Sequence, residues 1–144
     1  MANAFNRFIL ADGWRNATVM VTGLLDSSDV TIEPFIDLED FLNNDNAAGE
    51  LVGLRVDRIQ YSMSAGSGLE VQLWWEMAPT AGADRLITAI AGQGHDKYRK
   101  FGGLIPPLDE VGYIGDIEFT TSGFSRTTGP TGFTVTLELV KLYR

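Results

Sequence analysis

The sequence predicts an all-β sandwich or barrel, and three observations carry that prediction. Sixteen glycines and five prolines punctuate the 144 residues, with short runs rich in Val, Ile, Thr, Leu and aromatics between them. Two of these runs alternate strictly, as a half-buried strand requires. In residues 69–77, Leu69, Val71, Leu73 and Trp75 face one way, with Glu70, Gln72, Trp74 and Glu76 opposite. In residues 133–143, Phe133, Val135, Leu137 and Leu139 share a face against Thr134, Thr136 and Glu138. The runs number about eight and recur at a spacing of roughly 8–12 residues, which suits antiparallel strands joined by turns.

Taken in order, residues 17–25 form the first clear strand. The turn at Asp26-Ser27-Ser28-Asp29 follows, where Asp and Ser side chains bond their own backbone. Residues 30–33 form a second strand, which Pro34 confines to an edge or an end. Leu38, Phe41 and Leu42 fit one helical turn at most, and residues 43–46 read as a loop. Residues 51–63 alternate except at Asp57-Arg58, where two adjacent polar residues predict a bulge or bend. Residues 64–68 form a tight turn, so strands 51–63 and 69–77 are expected to make a hairpin. Residues 78–84 are a loop and 86–91 a short buried strand. Residues 95–101 make a more polar strand and 102–107 an irregular crossing. Residues 115–122 alternate again. The turn at 129–132 leads into the final strand. Residues 1–15 show no clear strand and are expected to form an arm anchored by Phe5, Phe8, Ile9, Leu10 and Trp14. The domain organisation expected is thus an N-terminal arm at 1–15 and a single β-sandwich at 16–144.

Composition excludes several functions. The hydrophobic share of 44% and charged share of 21% are those of a globular chain, and the length suits one core. No apolar run approaches the roughly 20 residues that a membrane helix needs. The first residues lack a basic segment followed by an apolar one, so no secretory signal is expected. With no cysteine, disulfides, thiolate metal sites and Cys nucleophiles are excluded, and one histidine rules out paired-His metal motifs. The net charge of -8 argues against non-specific nucleic-acid binding.

Catalytic candidates are weak. His95 beside Asp96 resembles an oriented general base, but strand neighbours point to opposite faces and do not pair easily. Ser62, Ser64 and Ser67 crowd a turn with no nucleophile elbow. Asp109-Glu110 is an adjacent carboxylate pair. Asp116 and Glu118 share a strand face and would suit an acid/base pair on a glycan, yet carboxylates on the wet face of an antiparallel strand are the ordinary reading. The loop at 26–29 lacks calcium-loop spacing. The expectation is no catalytic residue, no metal and no cofactor. Trp74 is the candidate for ligand stacking, on a sugar or a protein, if it faces outward beside Glu70, Gln72 and Glu76.

The ordered segments also carry a resemblance. These are residues 6–16, the strand ending in Thr22-Gly23, residues 54–59 and 71–75, and then Ile90-Ala91-Gly92-Gln93-Gly94. Phe101-Gly102-Gly103-Leu104, Gly115-Asp116-Ile117 with Thr120-Thr121, and residues 135–141 complete the set. Together they resemble small proteins encoded among the head genes of tailed bacteriophages, some of which decorate or cement capsids with a jelly-roll-like sandwich. The resemblance implies an antiparallel β-sandwich that is jelly-roll-like. It also implies a structural virion protein on the outer capsid surface, assembled in the host cytoplasm and not an enzyme. Its implied partners are the major capsid protein and further copies of the chain, as a dimer or trimer, with no nucleic acid and no membrane. Phe5, Phe8, Trp14 and Arg15 are the expected capsid-binding residues. The rival reading is a carbohydrate-binding module of a fibre or spike, using Trp74.

Overall fold

The computed structural model describes residues 3–42, 45–46, 49–79, 82–125 and 130–144. Positions 1, 2, 43, 44, 80, 81 and 129, where parts of the expected arm, loops and final turn fall, lie outside these. The described residues form β1 (Ala4–Asp12), β2 (Asn16–Leu25), β3 (Glu33–Ile36), β4 (Asp45–Asn46) and β5 (Gly49–Met63). They continue with β6 (Glu70–Met77), β7 (Arg85–Ala91), β8 (Gln93–Lys97), β9 (Tyr113–Ser122) and β10 (Thr131–Tyr143). One sheet runs β1-β2-β10-β5-β4, with β8 also on β5; the other runs β3-β9-β6-β7. Leaving aside β1 and β4, the order is β2-β10-β5-β8 over β3-β9-β6-β7. That is the eight-strand, two-sheet arrangement of a jelly roll.

Alternation places the core. In β2, Ala17, Val19 and Val21 are buried while Thr18, Met20 and Thr22 are half-covered. In β6 the inward set is Val71, Leu73, Trp75 and Met77. In β10 it is Phe133, Val135, Leu137 and Leu139. Within the second sheet Phe35 meets Phe119 edge-on at 6.2 Å, and across the sheets Phe119 meets Phe133 edge-on at 5.8 Å. Such pairs add about 0.5–1.5 kcal/mol each beyond their burial.

Several expectations hold in detail. A single 3-10 turn spans Leu38–Asp40, and β3 with its Pro34 lies on a sheet edge. The slip at Asp57-Arg58 is a bulge. Glu138 pairs with Arg58 and Leu139 with Val56, so Asp57 is the extra residue.

Four expectations are corrected. Residues 4–12 are not strandless: they form β1, antiparallel to β2 along its whole length, so most of the expected arm is an edge strand of the sandwich. The alternation rule misses it because an edge strand need not bury one face. Strands β5 and β6 do not form a hairpin. Their turn carries the chain from one sheet to the other. Residues 30–32 are not a strand; Val30 instead donates its N–H to the Thr121 hydroxyl at 2.8 Å, and β3 begins at Glu33. The polar strand expected at 95–101 ends at Lys97, and Arg99–Phe101 is a 3-10 turn.

Candidate docking surface

The turn between β1 and β2 is held by β10 at every carbonyl from Gly13 to Arg15. The Lys141 ammonium donates to the Gly13 carbonyl at 2.6 Å and forms an ion pair with Asp12. The Lys141 N–H donates to the Arg15 carbonyl at 2.7 Å, and the Tyr143 hydroxyl donates to the Trp14 carbonyl. Gly13 N–H closes the turn on the Asn16 carbonyl at 2.9 Å. Asp12 also accepts the Leu42 N–H at 2.7 Å, which ties the next loop to the same corner.

The backbone is thus fixed while its apolar side chains stand in solvent. Trp14 is 65% exposed, Leu10 56%, Phe8 44% and Leu42 93%. Leu10 is the extra residue of a bulge in β1, because Ile9 pairs with Val19 and Ala11 with Thr18. The bulge leaves Leu10 outside the ladder. Arg15 is exposed on the turn itself. Arg7, on the same strand, reaches Asp40 at 3.6 Å. Of the four residues expected to bind a partner, Trp14 and Arg15 stand exposed on the β1–β2 turn, and Phe8 is exposed further along β1, opposite Met20. Phe5 is not among them. Its ring packs edge-on to Phe119 at 5.6 Å and against Phe133 at 6.3 Å, so it serves the core.

Sequence reasoning missed Asp12, Leu42 and Lys141. For Lys141 there was a signal. It follows Phe133, Val135, Leu137 and Leu139 at the same parity of β10, an inward position for a cation. The structure buries it fully, beneath the Phe41 ring at 4.8 Å.

The outer face of the second sheet holds the other candidates. Trp74 is half-buried, and its indole N–H donates to the Thr120 hydroxyl at 2.9 Å. Thr120 donates to the Gln72 carbonyl oxygen at 2.8 Å, and the Gln72 amide donates to Glu70 and Ser122 at 2.7 and 3.0 Å. Trp74 is thereby built into a saturated polar network. Opposite Trp74 on β9 lies Glu118, only 9% exposed. The wet-face reading is thus corrected for Glu118, which is covered, while Asp116 is half-buried. Burial, then the charges of Glu76 and Asp84, push the Glu118 carboxyl up to about 7. Burial also pushes Asp116 up to about 7, aided by Asp37 and Glu76 and opposed by the Leu38 N–H that it accepts at 2.9 Å. Glu76 lies beside both and acts on each in the same direction, raising it.

His95 is exposed on β8, opposite Gln60. Asp29 accepts from the Thr121 hydroxyl at 3.1 Å and the Phe124 N–H at 3.0 Å, which commits the carboxylate of the 26–29 turn. Among the described residues, no group of three or more His, Cys, Asp or Glu side chains is placed to hold a metal. No helix among them is long and apolar enough to cross a membrane.

Solved structures align with 94% of the chain. One is a chain in the atomic structure of Sulfolobus turreted icosahedral virus, at 14% identity and a TM-score of 0.50. A second comes from the triple jelly roll fold and turret assembly of an archaeal virus, at 14% identity and a TM-score of 0.49. The present chain spans 30% of the length of each. A low affinity xylan binding module from the gut symbiont Roseburia intestinalis aligns over 94% of this chain and 96% of its own, at 13% identity and a TM-score of 0.31. No family model and no curated protein sequence matches the chain. The likeness to the turreted virus chain concerns the fold, a jelly roll.

Proposed function

We propose that the chain is a structural virion protein: a jelly-roll sandwich that decorates or cements a bacteriophage capsid by binding across its major capsid subunits. The observation that carries this reading is the β1–β2 corner, where Trp14 projects from a turn whose carbonyls are all held by β10. A rigid, exposed Trp on a turn, with exposed Phe8 and Leu10 on the strand that leads into it, has the make-up of an interface hot spot. A pre-ordered backbone loses little further entropy on docking.

Jelly rolls serve viral capsids and lectin domains alike, so the side chains decide between these uses. The Trp suited to a sugar platform, Trp74, is half-covered with its N–H committed to Thr120. The Trp suited to a protein partner, Trp14, is open. Covered carboxyls on the outer face, with no metal-holding group among the described residues, give no support to an enzyme. A stable contact buries roughly 1,600 Å² in total, and repetition over a shell multiplies a modest affinity. The charge of -8 suits the outside of the shell, away from packaged DNA.

The test is a Phe8→Ala, Trp14→Ala double variant incubated with shells stripped of the protein. It is expected to melt like the parent yet fail to occupy the shell. Occupancy equal to the parent's overturns the assignment of this corner.

A further inference from the structure

A second exposed feature lies away from the β1–β2 corner. Lys97, Arg99 and Lys100 stand within four positions of one another, in a chain with 11 Lys and Arg. They flank Phe101, which is 84% exposed. The segment is held firmly. Tyr98 N–H donates to the Asp57 carbonyl at 2.8 Å, and Gly103 N–H donates to the Tyr98 carbonyl at 2.8 Å. Leu104 and Val56 exchange two hydrogen bonds at 2.8 and 3.0 Å. Beneath, the buried Asp57 carboxylate accepts from Arg55 at 2.8 and 3.2 Å and from Arg99 at 3.4 Å. The turn closes at Gly102, whose φ of 87° is left-handed and suits glycine. The result is a rigid basic knob with an aromatic tip.

Its complement is on the same chain. A cleft of about 830 Å³ is lined by Asp37, Glu39, Glu50 and Asp116, with Leu108 and Ile114 as apolar wall. The one arginine at the cleft, Arg144, is paired with Asp109 at 3.1 Å. Along β5, Lys97 lies opposite Arg58, whereas the cleft touches residues 50–52. The separation along β5 is roughly 20 Å from Lys97 and about 13 Å from Val56, where the knob closes at Leu104, and no residue of the knob lines the cleft.

We propose that the knob of one copy docks in the acidic cleft of the next, making a head-to-tail contact between copies of this chain. Phe101 covers the apolar wall of Leu108 and Ile114, while Lys97 and Lys100 face the cleft carboxylates. A charge of -8 drives copies apart everywhere else, so only a charge-matched pair of surfaces draws them together. The two surfaces differ, so the contact is heterologous and closes into a ring where the rotation permits. This contact does not rest on the virion reading.

The test is light scattering and sedimentation velocity over a concentration series at low and high salt. The parent is expected to assemble at low salt and dissociate at high salt, where exposed charges are screened. Reversing the knob (Lys97→Glu, Lys100→Glu) or the cleft (Glu39→Lys, Glu50→Lys) is expected to give folded monomers, checked by circular dichroism. Mixing the two reversed variants restores assembly, because each knob then meets a cleft of opposite charge. A parent that stays monomeric at every concentration overturns the proposal. So does assembly that survives either reversal, or a mixture that stays monomeric.

Discussion

Lys141, fully buried on the last strand, forms an ion pair with Asp12 at the end of the first strand. It joins residues 129 positions apart and fixes the corner from which Trp14 projects. One side chain therefore contributes both to the stability of the sandwich and to the shape of the docking surface.

Replacing Lys141 with Met removes the cation but leaves Asp12 mostly covered. Breaking a buried pair on one side costs about 3–5 kcal/mol. Urea unfolding of Lys141→Met is expected to show a loss of that order. An unchanged midpoint would mean that the pair is not buried in solution.

Phe5 and Phe8 lie on the same strand but play different parts. Phe5 packs on Phe119 and Phe133, while Phe8 is exposed. Phe5→Ala should lower stability by about 2–3 kcal/mol, somewhat below the usual loss for a fully buried Phe. Phe8→Ala should change it by no more than about 0.5 kcal/mol. Thermal melts of the two variants side by side check the contrast.

Gly23 on β2 sits where the Phe133 ring crosses. An added Cβ would stand 2.4 Å from two ring atoms and 3.0 Å from Phe5. Gly23→Ala must displace a core aromatic, at a cost of about 1–3 kcal/mol. The variant's denaturant midpoint measures it, and a parent-like value would contradict the packing described.

The covered carboxyls set a pH dependence with a definite sign. Asp116 and Glu118 titrate near 7 in the folded chain, against 3.8 and 4.5 as ordinary values. The folded state therefore binds more protons than the unfolded state between about pH 4 and 7. Their contribution to stability is present below that window and is lost as pH rises through 7. Asp57 acts in the opposite sense. Burial alone would raise it, but the bonds and charges of Arg55 and Arg99 hold it below its ordinary value, so its contribution is lost only in more acid solution. The melting temperature is expected to fall between pH 5 and 8, and less so in Glu76→Gln, which removes a charge acting on both raised carboxyls. A rise over that range would contradict the assignment.

The parts of this fold that were legible are those where one face is buried and the other wet. β6 and β10 alternate because each covers the core on one side only, and the Asp57 bulge appeared as a slip in that period. β1 was hidden because its apolar residues fall on both faces of an edge, so no period of two survives. The β5–β6 turn looked like a hairpin because sequence shows the turn but not which sheet each arm joins. Trp14, Phe8 and Arg15 were legible as candidates, since polar and aromatic residues stand together in 5–15. That Phe5 turns inward depends on Phe119 and Phe133, more than a hundred residues away, and local pattern carries no such information. Asp116 and Glu118 looked wet because alternation reports the face and not what covers it.

The most direct test of the virion reading is the copy number of the chain in purified particles of the virus that encodes it, by quantitative mass spectrometry. Decoration or cementing predicts a number comparable to that of the major capsid protein. A handful of copies per particle, or none, would contradict it.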